Sequence, residues 1–283
     1  MIDIIIPLYN SRKYLVNLLD SLLNQTYQKF YIILVDANSK ESYNDILINY
    51  QYKLKIKYFK LNKKYPPSMA RNYAIKQSNH KYIMFIDHDD TLINNDAINV
   101  LINNINEYDV ISSSEYYEAN KKYIINDISL HGKLYKRKFI IDNNINFSNL
   151  KYHEDTYFNN LIIIYNAKIK KIDIPTYYYH DNSNSITNKT ANIEFDKLEY
   201  LIKIISIIKK KIPTNKNNIN NYKKIIFENY NYFKILFGTF NKNQKQIFAN
   251  LIYKYDKEDA PLMLSKNSNE LKQKIDNIYN FIN

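Results

Sequence analysis

Short apolar runs and helically spaced apolar positions alternate over the first 113 residues of this 283-residue chain. Ile2-Asp3-Ile4-Ile5-Ile6-Pro7 reads as a buried strand that stops at the proline, which has no N–H to pair. Asn10 or Ser11 then caps a helix on which Leu15, Leu18, Leu19, Leu22 and Leu23 recur at helical spacing. Residues 30–35 form a second strand that ends in Asp36, and a turn at Asn38-Ser39 leads to a helix near residues 41–50. Residues 55–61 form a third strand, Pro66-Pro67 breaks the chain, and Ser68 caps a helix carrying Met69, Ala70, Tyr73 and Ala74. Residues 82–86 are mostly β-branched or aromatic, the mark of a parallel strand buried on both faces. Ala97, Ile98, Leu101, Ile102 and Ile105 mark the next helix and residues 109–113 the next strand. The alternation predicts an α/β fold, a mainly parallel, Rossmann-like sheet flanked by helices.

The pattern then loosens. Residues 114–150 are tyrosine-rich and basic and read as hairpins and loops. His153-Glu154-Asp155 precedes a helix with Leu161, Ile162, Ile164 and Tyr165, and residues 168–174 form a strand closed by Pro175. Tyr177-Tyr178-Tyr179-His180 runs into a polar loop. From about residue 193 the spacing is helical: Phe195, Leu198, Leu201, Ile202, Ile205 and Ile208 form a stripe that ends in Lys209-Lys210-Lys211. Further helices are expected near residues 217–237, 244–255 and 269–281. The domain boundary is placed near residue 190, with 1–190 the main domain and 191–283 a helical C-terminal extension.

Chemistry gathers after the central strand, where Asp87-His88-Asp89-Asp90 follows at once. A strand buried on both faces cannot hide three carboxylates, so they sit at its carboxyl end, the edge where open α/β sheets bind ligands. Clustered carboxylates need a positive neighbour, and a hard divalent cation, Mg²⁺ or Mn²⁺, is the natural one. A single acid here would read as a turn or helix cap; three in four positions favour a site.

Composition narrows the chemistry. The chain has no Cys, so it has no disulfide, no zinc-thiolate site and no thiol nucleophile. Its two glycines, Gly132 and Gly238, cannot make a dinucleotide-binding loop or a Walker A loop, so any nucleotide is held by metal and side chains. The net charge of +12 comes with heavy use of Lys, Asn, Ile and Tyr, a sign of AT-rich coding drift. It also suits a phosphate-rich substrate or an anionic membrane surface. No apolar run is long enough to span a bilayer. The expectation is a cytoplasmic protein, with the stripe at residues 198–208 as a candidate for peripheral membrane contact.

The order of motifs resembles family 2 glycosyltransferases of the GT-A fold over about residues 2–190. The matching stretches are Ile4-Ile5-Ile6-Pro7-Leu8-Tyr9-Asn10, Gln25-Thr26-Tyr27 ahead of Val35-Asp36, and Ala70-Arg71-Asn72. They continue with Phe85-Ile86-Asp87-His88-Asp89-Asp90, Gly132-Lys133-Leu134-Tyr135-Lys136-Arg137, His153-Glu154-Asp155-Thr156-Tyr157-Phe158, and Tyr177-Tyr178-Tyr179-His180 with Ser185-Ile186-Thr187. The resemblance implies a metal-dependent, inverting transfer of a hexosyl or N-acetylhexosaminyl group. The donor is a nucleoside diphosphate sugar, usually of uridine, and the acceptor a glycan, lipid-linked or protein hydroxyl. It implies Asp89 as metal ligand, with His180 as a second, and Asp155 as the general base. It places Pro7, Tyr9, Asp36, Arg71, Asp87 and His88 around the donor, Asp36 at the base and Asp87 near the ribose. The chain departs from the pattern at Ala37, where a second acid is common, at Pro66 and Pro67, and at His180, where Arg is common.

These residue types suit that chemistry. A departing nucleoside diphosphate gathers negative charge, which a bound metal stabilises. A carboxylate on the opposite face takes the acceptor proton. Several alternatives stand beside these readings. Asp36 reads either uracil N3–H or guanine N1–H, or is only a turn residue. Arg71 is a fork donor to base or diphosphate, or a solvated helix charge. Asp155 or Glu154 is a helix cap, His180 a loop histidine, Tyr177–Tyr179 strand packing, and Lys133, Lys136 and Arg137 a solvated face or an acceptor site. Two whole-chain alternatives are a non-catalytic glycan-binding module on the same fold and a basic nucleic-acid-binding protein. No aromatic-basic motif supports the second.

Overall fold

The computed structural model describes residues 1–150 and 152–182, together with residues 200, 203, 204, 207 and 225. The chain divides into two compact units, Met1–Asn149 with Ala167–Lys189, and Leu150–Asn166 with Thr190–Asn283.

The first unit is built on one sheet. In chain order it holds β1 (Ile2–Leu8), α1 (Arg12–Leu23), β2 (Phe30–Asp36), α2 (Asn44–Tyr50), β3 (Ile56–Lys60), α3 (Pro67–Gln77), β4 (Tyr82–Phe85), β5 (Thr91–Leu92) and α4 (Ala97–Ile105). Then come β6 (Val110–Tyr117), β7 (Lys122–Ile124), β8 (Lys133–Lys136), α5 (Arg137–Asp142) and, after α6 (Glu154–Ile164) of the second unit, β9 (Ile169–Tyr179). The strand order is β3-β2-β1-β4-β8-β6-β9-β5, with β7 added to β6. Strands β3, β2, β1 and β4 are mutually parallel. Beyond them β8 runs antiparallel to both β4 and β6, while β9 is parallel to β6. Every residue of β1 and β4 is buried, as an apolar run without polar alternation requires. Helix α3 packs on β1 and β2, and α4 on β6 and β9. Leu15, Leu18, Leu19 and Leu22 of α1 enter the core as their spacing predicts.

Three expectations at prolines are corrected. Strand β1 continues through Pro7 to Leu8, because Pro7 lies beyond the last pair with β4, Ile5 with Phe85, where a missing N–H costs little. Strand β9 continues through Pro175 to Tyr179. The register with β6 slips on both sides of Ser114, and Pro175 sits in that irregularity. Helix α3 starts at Pro67 with Pro66 in the cap position, so Ser68 is inside the helix and buried rather than capping it. Of the hairpins and loops expected over residues 114–150, the end of β6 and β7 form an antiparallel hairpin, and the stretch also holds β8 and α5.

Two buried polar side chains brace the ends of the site-bearing strands. Asp3 is fully buried and accepts the backbone N–H groups of Asn79 and His80 at 2.8 Å each, and its other oxygen lies 2.7 Å from His80 Nδ1. It fixes the turn that feeds β4. Asp3→Ala strands those donors, and urea unfolding should show a loss of about 2–3 kcal/mol. Gln25 donates to the carbonyls of Ser21 and Asn94 and accepts the N–H of Ile98, tying the end of α1 to the loop before α4. Among the described residues seven that are not glycine have positive φ, and five of them are asparagines: Asn10, Asn38, Asn106, Asn144 and Asn166.

In the second unit α6 carries Glu154 and Asp155 in its first turn, and Asn160 donates to the Tyr200 hydroxyl. The helices expected from residue 193 onward and the Ser185-Ile186-Thr187 stretch lie outside the described residues, apart from Tyr200, Lys203, Ile204, Ile207 and Ile225, each helical. The lysine-ended stripe considered for membrane contact lies largely outside them as well. Residues 150–166, which precede the boundary expected near 190, group with the later residues. Among the described residues no helix is long and apolar enough to cross a membrane.

Candidate functional site

The carboxyl ends of β1, β2 and β4 lie side by side; Asp36 is the last residue of β2, and the loops after β1 and β4 carry Tyr9 and Asp87. Asn10 and Asn38 take left-handed backbone angles that let these loops turn sharply. The Asn10 N–H donates to Ser39 Oγ at 2.8 Å and the Lys40 N–H to Asn10 Oδ1 at 3.1 Å, so the first two loops are stitched together.

Asp36 is 0% exposed. One carboxylate oxygen accepts the Ser39 N–H at 2.8 Å, and the other accepts the Tyr58 hydroxyl at 2.8 Å. It is therefore a turn residue and also a fixed acceptor. Pro7 is buried in β1, and the Tyr9 ring lies 4.3 Å from the Lys64 ammonium.

Arg71 is not a solvated helix charge. Its side chain is 5% exposed, Nη2 lies 2.6 Å from Asp87 Oδ1, and the guanidinium covers the Phe147 ring at 5.5 Å. The other oxygen of Asp87 lies 3.3 Å from His131 Nε2. Burial would raise the Asp87 carboxyl, but Arg71 and His131 overcome it and hold it well below the usual carboxylate range. The positive neighbours expected of a metal are thus supplied at Asp87 by two side chains. Asp90 is 2% exposed and accepts the Tyr177 hydroxyl at 2.7 Å and the His180 N–H at 2.9 Å. Burial pushes it up to about 7.

Asp89 is half-exposed and accepts the Asn182 amide at 2.8 Å. The His88 ring stands 6.2 Å from that of Tyr14. His180 is tethered rather than loose: Nε2 lies 2.9 Å from Thr91 Oγ1, Nδ1 lies 3.6 Å from Glu118, and its ring is 4.4 Å from Tyr178.

Asp155 stands in the second unit. His153, in a left-handed conformation, takes the cap position of α6, so neither Glu154 nor Asp155 is the cap. The Asp155 carboxylate accepts the N–H of Thr156 at 2.6 Å.

Sequence reasoning missed His131. It lies stacked on Tyr177, rings 4.5 Å apart and 7° from parallel, with Nδ1 3.7 Å from the buried Glu115. Burial would lower the imidazole, but Asp87 and Glu115 raise it to about 10. The available signal was Gly132 beside it. That residue has φ +58, and an added Cβ would meet Ser113 Oγ at 2.7 Å. Gly132→Ala should therefore cost at least about 2 kcal/mol in thermal or urea unfolding. The basic residues that follow are braces. Buried Lys133 donates to the carbonyls of Asn126 and Ser129, Lys136 to that of Glu107, and Arg137 to Ser78 Oγ.

Among the described residues, Asp87, Asp90 and His131 offer ligand atoms within 4.8 Å of one another, a grouping that could hold a metal ion. Its carboxylate oxygens suit a hard divalent cation, and His131 could join them only as the neutral imidazole.

Comparison with known proteins gives the family and the fold. An uncharacterized glycosyltransferase of Rickettsia bellii is 30% identical over 141 residues, 48% of this chain and 20% of that protein. The poly(ribitol-phosphate) beta-N-acetylglucosaminyltransferase TarS of Staphylococcus aureus is 25% identical over 227 residues, 72% of this chain and 40% of that protein. The chain thus spans between a fifth and two fifths of the length of these relatives. The crystal structure of S. aureus TarS 1–349 with UDP superposes with a TM-score of 0.69 at 22% identity, over 99% of this chain and 89% of that one. That likeness shows the fold, a mixed sheet flanked by helices of the GT-A type. The model of glycosyl transferase family 2 matches residues 3–164. With more than half of its length matched in this way, the chain belongs to glycosyl transferase family 2.

Proposed function

We propose that the chain is a metal-dependent, inverting glycosyltransferase. It moves a sugar from a nucleoside diphosphate donor, with uridine diphosphate the expected carrier, to a hydroxyl of a glycan, lipid-linked or protein acceptor. The observation that carries this reading is the acid loop after β4. There Arg71 holds Asp87 while Asp89, next but one, stays partly exposed and, among the described residues, accepts the amide of Asn182. The printed names of the relatives support it, since TarS is named as an N-acetylglucosaminyltransferase and its structure was solved with UDP.

In this reading Asp36 accepts a ring N–H of the base, Asp87 meets the ribose, and Pro7, Tyr9, Arg71 and His88 line the donor. Asp89 and His180 would hold Mn²⁺ or Mg²⁺, which would supply positive charge to the leaving diphosphate. Asp155, in the first turn of α6, accepts the proton of the attacking hydroxyl. Attack on the face opposite the leaving group inverts the anomeric centre. Residues 1–190 form the catalytic domain and 191–283 a helical extension for acceptor access, self-association or membrane contact.

A thermal-shift panel of uridine, guanosine and cytidine diphosphate sugars, with and without Mn²⁺, tests the reading. A ligand at about a hundred times its dissociation constant adds about 2.7 kcal/mol. The uridine series with Mn²⁺ should raise the melting temperature most. No shift with any donor would overturn the proposal.

A further inference from the structure

We infer that His131, oriented by Glu115 and Tyr177, is a positioning residue that clamps Asp87 for the vicinal hydroxyls of the donor ribose. The inference rests on the donor site proposed above and adds to it a residue that no motif identified.

The geometry is a two-sided clamp. Arg71 takes Oδ1 of Asp87 at 2.6 Å and His131 takes Oδ2 at 3.3 Å. The Asp87 side chain is still 31% exposed. Each carboxylate oxygen accepts about two hydrogen bonds, so a clamped Asp87 keeps an acceptor direction on each oxygen. Two parallel acceptors held at a fixed separation match two adjacent hydroxyls.

The clamp needs a histidine that cannot turn, and three contacts hold it. Tyr177 lies flat against the ring at 4.5 Å. The hydroxyl of the same tyrosine donates to Asp90 and accepts the Asp87 N–H at 3.2 Å, so the ring support and the acid loop are one assembly. Glu115, 0% exposed, faces His131 Nδ1 at 3.7 Å and is itself held by the hydroxyls of Tyr117 and Ser129. Arg71 and His131 each take one acceptor direction on the two oxygens of Asp87, which leaves the remaining directions of the carboxylate to the sugar of the nucleotide.

The test compares UDP with 2′,3′-dideoxyuridine diphosphate by calorimetric titration at saturating Mn²⁺. His131→Phe keeps a flat ring on Tyr177 but has no N–H; His131→Gln restores a donor. His131→Phe should bind UDP about tenfold more weakly, as expected for losing a charge-assisted bond, and bind the dideoxy analogue as the wild type does. His131→Gln should recover most of the UDP affinity. Equal loss for both nucleotides in a variant of unchanged melting temperature, or no loss for UDP, overturns the inference. The imidazole ¹⁵N shifts of His131 give a readout that needs no nucleotide. Asp87→Asn should move them if the clamp exists, and unmoved shifts overturn it. If the wild type binds neither nucleotide but the shifts do move, the donor reading has failed and the clamp has not.

Discussion

Asp89→Ala is expected to abolish Mn²⁺-dependent binding of the nucleoside diphosphate while the fold survives. The two acids of the loop should behave differently because their surroundings differ. Asp87 pairs with the buried Arg71, and its removal would break that ion pair at a buried guanidinium, a destabilising change. Asp89 is half-exposed and accepts one amide, from Asn182, so its loss should leave the core unaltered. The expected signature is a melting temperature near that of the wild type, together with a calorimetric titration in which Mn²⁺ no longer changes the UDP affinity. Metal-dependent binding that persists in Asp89→Ala would remove Asp89 from the metal site, and the grouping of Asp87, Asp90 and His131 would take its place.

The second large effect is expected at Asp155. Asn is nearly isosteric and its carbonyl oxygen can still accept the Thr156 N–H, so Asp155→Asn should hardly change stability. It cannot take up the acceptor proton. Loss of a positioned general base typically lowers turnover by about 10²–10⁴-fold. In the proposed reading Asp36, Asp87 and Asp89 hold the donor, so donor affinity should stay as it is. Transfer within about threefold of the wild type, far below that range, would reduce Asp155 to a residue of the first helical turn and make Glu154 the next to test.

The parts of this molecule that could be read from the sequence are those where one element suffices. The uninterrupted apolar runs of β1, β2 and β4 report burial on both faces, and Asp36 and Asp87 mark where two of them end. Helix α1 announces itself by its leucines. What stayed hidden depends on pairs far apart in the chain. His131 acquires its meaning from Asp87, 44 residues earlier, and from Tyr177, and nothing in its immediate neighbours encodes either contact. Lys133 looks like a surface charge in sequence, yet its ammonium is turned inward to close a loop. Pro175 looks like a strand terminus because proline usually is one, and only the slipped register with β6 shows how the strand absorbs it. Tyr177 was read as packing, which its ring does, but its hydroxyl also links Asp87 to Asp90.

The asparagines at left-handed corners have a consequence for how this protein could evolve or be engineered. Asparagine is the side chain that bears positive φ most easily and glycine bears it at no steric cost, so Asn10, Asn38, Asn144 and Asn166 are corners at which glycine could stand in without a clash. The exchange does not run the other way at Gly132, where an added side chain would meet Ser113 Oγ. The turns of this fold are thus open to redesign at the asparagines and closed at the glycine beside His131.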